Sequence, residues 1–166
     1  MLPAPIPADD DARLRALREL LILDTPPEER FDRIVGFAAS EFDVPIALIS
    51  LVDRDRQWFK ARVGLDACET SREISFCGHA ILQKNELFEV LDAAKDPRFA
   101  DNPLVTGAPF IRFYIGAPLV MPSGAAIGTL CLIDTKPRQF DAMDHAILGT
   151  LRDLAVAELS GQGEAP

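Results

Sequence analysis

The chain has 166 residues, 48% of them hydrophobic and 26% charged, with a formal net charge of −9. That length suits one domain able to bury a core without crosslinks, and the composition is that of a globular rather than a disordered protein. The acidic balance argues against nucleic acid and anionic membrane surfaces as partners, while one basic pocket for a small anion stays open. Cys68, Cys77 and Cys131 are an odd number of thiols and fit a reducing cytosol better than a disulfide framework. No C-x-x-C or paired Cys/His spacing points to a metal site. The first residues lack the basic start and long apolar run of a signal peptide, and no apolar stretch is long enough to span a bilayer. A cytoplasmic location is expected.

The proline-rich residues 1–9 are expected to be a flexible tail, followed by one domain over 10–160 and a second tail over 161–166. Asp9 or Asp10 can cap a first helix that carries Leu14, Leu17, Leu20 and Leu21 at helical spacing, with Arg13, Arg15 and Arg18 on other faces. Thr25-Pro26-Pro27-Glu28 has the form of a capping box with proline at the first helical position. The helix it announces has a broad apolar stripe of Phe31, Ile34, Val35, Ala38, Ala39 and Phe42, widened by Phe37.

Residues 45–52 are apolar on both alternating faces, which predicts a central strand covered from two sides. A turn at 53–56 leads to a strand over 57–63 in which Trp58, Lys60 and Arg62 alternate with Phe59, Ala61 and Val63. Residues 64–73 read as a loop, 75–84 as a short helix and 87–91 as a brief strand. The stretch 92–107 holds two prolines and no strong periodicity, so it is expected to be a long excursion of the functional kind with one helical turn. Strands over 110–121 and 126–133 form a second hairpin around Pro122-Ser123-Gly124. Asp141 caps a last helix with the stripe Ile147, Leu148, Leu151, Leu154 and Ala155, ended by Ser160-Gly161. Helices at both ends with hairpins between them predict an α+β domain, and apolar surface left on the first and last helices predicts a homodimer.

One stretch concentrates chemistry: Ser75-Phe76-Cys77-Gly78-His79-Ala80-Ile81. A helix beginning near Ser75 would aim free N–H groups and its positive end beside Phe76 and Cys77, inviting an anion or carbonyl and lowering the thiol pKa. The alternative is a capped, buried helix start with Cys77 as a small core residue and His79 hydrogen-bonded locally.

Together with this stretch, Ile46-Ala47-Leu48-Ile49-Ser50-Leu51-Val52-Asp53, Arg56-Gln57-Trp58-Phe59-Lys60, Asp96-Pro97-Arg98-Phe99-Ala100-Asp101-Asn102-Pro103 and Gly128-Thr129-Leu130-Cys131-Leu132-Ile133-Asp134 resemble the GAF domain family. The resemblance covers about residues 10–159 and is strongest to the GAF sensor modules of bacterial histidine kinases and diguanylate cyclases. It implies a PAS-related fold: a six-stranded antiparallel sheet with terminal helices on one face, and loops plus short helices enclosing a ligand cavity on the other. It also implies signalling through terminal helices at a dimer interface. Without a kinase, cyclase or DNA-binding segment in the sequence, the expected role is a stand-alone sensor acting on a separate kinase or cyclase, or a fragment of a longer protein.

Within that frame the candidate ligand residues are Phe76, Cys77 and His79 on the short helix, Asp92, Arg98, Phe99 and Asn102 on the excursion, and Arg112 and Tyr114 on the next strand. Arg98 can clamp a carboxylate or phosphate, or pair with Asp96 or Asp101 to pin its own loop. The alternative function, implied by resemblance to free methionine-(R)-sulfoxide reductases, is redox chemistry or redox sensing at Cys68 and Cys77. The attacking cysteine of that family belongs in the segment where this chain has Leu104-Val105-Thr106-Gly107-Ala108, so no catalytic residue is assigned. Neither Cys nor His occurs between Asp92 and Ile115, so no covalent bilin is expected, and noncovalent haem through His79 stays open. The cofactor is otherwise unassigned, and the expected partners are a small molecule and a second copy of the chain.

Overall fold

A computed structural model describes residues 2–161, so Met1 and most of the tail expected over 161–166 lie outside the described residues. Six strands form one sheet in the order β3-β2-β1-β6-β5-β4, every neighbouring pair antiparallel. β1 (Ile46–Val52), β5 (Phe113–Val120) and β6 (Ala126–Asp134) are buried almost throughout, as their mainly apolar sequence leads one to expect. β2 (Arg56–Val63) follows β1 as a hairpin, and β3 (Glu69–Ser71) and β4 (Phe88–Val90) are three-residue edges. Such short edges leave little unpaired backbone for unwanted pairing.

Helices α2 (Glu29–Phe42) and α5 (Ala142–Leu159) cover one face and contact each other. Phe31, Ile34, Val35, Ala38 and Phe42 meet Leu148, Leu151 and Ala155 over Ile49, Leu51, Ile115 and Leu130. α5 starts as the sequence requires, with reciprocal bonds between Asp141 and Asp144 satisfying two backbone N–H groups. Phe37 and Leu154, expected in the stripes, are 53% and 52% exposed instead.

Several local expectations are corrected. α1 (Asp10–Glu19) buries Arg13, which is 1% exposed: its guanidinium donates to the Val52 carbonyl at 2.6 Å and to Asp10 at 2.9 Å. Asp10 in turn accepts from both Nη groups of Arg72, clamping α1 to the segment after β3. The capping box at Thr25–Glu28 does not form, and α2 begins at Glu29 without a side-chain cap. Thr25 and Glu28 hold Lys60 instead, with Nζ 2.8 Å from Thr25 Oγ1, 2.7 Å from the Pro26 carbonyl and 2.6 Å from Glu28 Oε2. Lys60 reaches them because β2 carries a bulge: Ile49 pairs with Ala61 and Ser50 with Phe59, leaving Lys60 as the extra residue. Phe59 therefore faces away from the helices while Lys60 and Ala61 both face toward them, breaking the simple alternation. The first described residues also make contacts: Leu2 donates to the Arg98 carbonyl, and its own carbonyl lies 3.0 Å from His79 Nε2.

Candidate functional site

The second face of the sheet is covered by the segment from β3 through α3 (Cys77–Ala80) and by the excursion with α4 (Pro103–Thr106). Ser75 Oγ accepts the Gly78 N–H at 3.1 Å, the bond expected of a capping serine, but the helix is one turn long and buried. Its first turn does not face an open hollow.

The space beneath it is filled by aromatic rings. Phe76 stacks on Phe99 with centroids 4.1 Å apart, Tyr114 lies 5.2 Å from Phe76, and His79 meets the Phe99 ring edge-on at 4.9 Å. Phe76, Phe99 and Tyr114 are each at most 2% exposed. Arg98 forms a two-pronged bond with Asp96, at 3.0 and 2.7 Å, and lies over the Phe88 and Phe99 rings. Asp96 holds Arg98 above the usual guanidinium range, and Arg98 holds Asp96 below the usual carboxylate range. Asn102 is buried: Oδ1 accepts the Leu104 N–H and Nδ2 donates to the Ile74 carbonyl, tying α4 to the segment before α3. Asp92 caps a single turn over Ala93–Lys95. Arg112 donates to the carbonyls of Val105 and Ile111. The residues proposed from sequence thus come together as a packed, internally bonded roof.

Beside that roof lies a cavity of about 360 Å³, between the loop after β2 and the segment from α4 to β5. Its floor is Ile46, Leu48, Phe59 and Ile133; its sides are Leu65, Ala67, Leu104, Ala108, Pro109 and Ile111. The polar groups in its wall are Gln57, Thr70 and Asp66. None of Phe76, Cys77, His79, Asp92, Arg98, Phe99, Asn102, Arg112 or Tyr114 stands in this wall. Gly64 starts the loop at φ +78°, where a Cβ would come within 1.9 Å of the Pro45 carbonyl oxygen. That close approach swings the loop back over the sheet.

Sequence reasoning missed the cavity because its walls are mostly ordinary apolar residues spread over three strands, α4 and two loops. The available signals were the tight Val63-Gly64 exit from β2 and the Ala108-Pro109 pair, which lie at its rim.

A polar seam crosses the same face. Thr70 accepts from Gln57 Nε2 at 2.6 Å, and Gln57 Oε1 accepts from Ser50 Oγ at 3.0 Å. Farther along, Cys77 Sγ lies 3.1 Å from Thr129 Oγ1 and accepts from the Tyr114 hydroxyl at 3.1 Å, with the free Cys131 thiol beside it. Burial pushes the Cys77 thiol up, but the groups bonded to its sulfur favour the thiolate and bring it down to about 6. Cys131 moves well upward, from burial first and the neighbouring Cys77 second, so the pair releases one proton early and holds the other. Cys131 on β6 is therefore part of this cluster. Cys68 is exposed on the loop after β2. Among the described residues no three of His, Cys, Asp and Glu converge to hold a metal ion, and no helix is long and apolar enough to cross a membrane.

The sheet order, the helices on one face and the loop-roofed cavity on the other define an α+β sensor-type fold, and the GAF domain family profile matches residues 26–159. The chain belongs to the GAF domain family. Over 138 residues it is 49% identical to a cyclic di-GMP phosphodiesterase of Pseudomonas aeruginosa, covering 83% of this chain and 23% of that protein. The chain thus spans about a quarter of that relative's length. Among solved structures, the GAF domain of an Acinetobacter phosphoenolpyruvate-protein phosphotransferase superposes with a TM-score of 0.67 at 21% identity, covering 93% of this chain and 95% of that one. The free methionine-R-sulfoxide reductase of Neisseria meningitidis, solved with its substrate, gives 0.65 at 21% identity over 98% of both chains. At these identities the likeness is one of fold.

Proposed function

We propose that this GAF domain is a sensory module that binds a small molecule in the cavity between residues 64–70 and 104–111. The carrying observation is that cavity: about 360 Å³, mainly apolar, with a few convergent polar groups in its wall. α4 at its side is tied to the segment before α3 through Asn102 and to the start of β5 through Arg112, so an occupant that lifts α4 also moves the start of β5. In this reading two copies of the chain pair through their terminal helices, and occupancy changes that pairing to regulate an output protein. The Pseudomonas relative favours an output in cyclic di-GMP turnover, alongside the histidine kinase or cyclase outputs expected from the sequence. Native mass spectrometry of freshly purified protein tests the reading. A retained or exchangeable small molecule, lost when Ala108→Trp fills the cavity, supports it; an empty chain indifferent to that substitution counts against it.

A second reading is thiol chemistry at Cys77 with Cys68. It is favoured by the lowered pKa of Cys77 and opposed by that residue's 2% exposure. Incubation with free methionine sulfoxide and a thiol reductant separates the two: product that depends on Cys77 would make the chain an enzyme.

A further inference from the structure

The geometry points to an occupant that is largely hydrocarbon and carries no negative charge, its one polar end turned toward Gln57, Thr70 and Asp66. This rests on the cavity being the ligand site and names the class of ligand it takes.

Three observations carry it. First, no lysine, arginine or histidine stands in the cavity wall, and its one charged residue is Asp66, exposed at the solvent-facing rim. An anion placed there would lose water and gain no counter-charge, while facing a carboxylate. Second, the cations nearest in sequence are engaged or outside. Arg112 is bound to the Val105 and Ile111 carbonyls. Arg72 is bound to Asp10 and to the carbonyls of Asp53 and Arg54. Arg62 pairs opposite Leu48 and so shares the cavity's face, but it is exposed at the end of β2 and outside the wall. Third, the seam leaves specific polar capacity. Gln57 is 5% exposed and uses one amide hydrogen and one oxygen lone pair on Thr70 and Ser50. That leaves it one donor and one acceptor, and Thr70, already an acceptor, keeps its own O–H to donate. A hydroxyl satisfies these, accepting as well as donating; an ammonium, which only donates, takes the free Gln57 oxygen lone pair and Asp66. A nucleotide would bring phosphate charge to a wall with no cation.

The test uses the full chain at neutral pH and the uncharged fluorescent probe N-phenyl-1-naphthylamine, competed by decylamine, decanol and decanoate, which differ only in their polar end. The expected result is bright probe with the wild-type chain and dim probe with Ala108→Trp. Decylamine should displace it best, decanol next, and decanoate only at roughly tenfold higher concentration or more, the order of penalty for one unfavourable charge contact near a protein surface. Decanoate competing as well as decylamine overturns the inference while leaving the cavity a ligand site, and loss of that competition in Arg62→Gln would identify the cation responsible. A probe that stays dark with the wild-type chain, or is equally bright with Ala108→Trp, overturns the ligand-site reading and the inference with it.

Discussion

The Tyr114 hydroxyl reaches the Cys77 sulfur at 3.1 Å because residue 116 has no side chain: a Cβ on Gly116 would stand 2.5 Å from that hydroxyl. Tyr114 lies along its own strand, over Gly116, and so spans from β5 to α3 without leaving the sheet surface. Gly116→Ala is therefore expected to dislodge the ring and cost about 1–3 kcal/mol, as overpacking does, read as a lower denaturant midpoint.

The thiol cluster makes stability depend on pH. Cys77 has a folded pKa near 6, below the unfolded cysteine range, and Cys131 has one well above it. As pH rises from about 6 to about 8.5 the folded chain has given up a proton the unfolded chain keeps, so stability rises. Above that range the unfolded chain loses both protons and the folded chain only one, so stability falls. Cys77→Ala should remove the rise, and Tyr114→Phe, which deletes a donor to the sulfur, should move its onset to higher pH. Denaturant melts at a series of pH values measure both.

Asp10 joins α1 to Arg13 and Arg72, and its side chain is 12% exposed. Burial raises its pKa, and the bonds from Arg72 and Arg13 more than reverse that. Its contribution is full above the unfolded value near 4 and is lost as pH falls through the lower folded value. Asp10→Asn should cost about 3 kcal/mol at pH 7, leaving two guanidinium groups without their shared counter-charge. The variant and the parent should converge in acid; an undiminished gap at low pH would contradict the assignment.

Lys60 and Glu28 form an unequal pair, with side-chain exposures of 0% and 38%. Removing the carboxylate strands a buried ammonium on neutral oxygens, whereas removing the lysine leaves a carboxylate that water can reach. Glu28→Gln is expected to cost about 1–2 kcal/mol, discounted from the buried-pair figure for solvent screening, and Lys60→Met less. Thermal melts of the two variants rank them.

Asn102 holds the cavity's lid. Asn102→Ala removes the α4 cap and the bond to Ile74, a loss of about 1–3 kcal/mol. The effect should be local: amide hydrogen exchange over 103–107 should speed by more than exchange in β1 and β6. Uniform acceleration across the sheet would mean that Asn102 serves the core and not the lid.

What the sequence made legible was what repeats or stays local. The doubly covered β1, the stripe of α2 and the Asp141 cap each follow from periodicity or a four-residue pattern, and the family resemblance supplied the sheet that gathers them. What failed depended on partners distant in the chain. Thr25 and Glu28 form a capping box in sequence, yet Lys60 claims both. Arg13 looked like a surface residue until the Val52 carbonyl and Asp10 gave it a reason to be inside. Phe76 and Tyr114 fill the neighbourhood they are expected to line, because a lining ring and a filling ring have the same composition. Only the stacking distance separates them.

The bulge in β2 carries a last consequence. Phe59 on one side and Ala61 on the other keep their pairing with Ser50 and Ile49 whether or not a residue stands between them. Lys60 is thus supernumerary to the ladder: excising it would leave every other side chain of the strand on its present side. Its one service is to reach out and moor the proline-rich entry to α2, a tether added to the sheet without disturbing its weave.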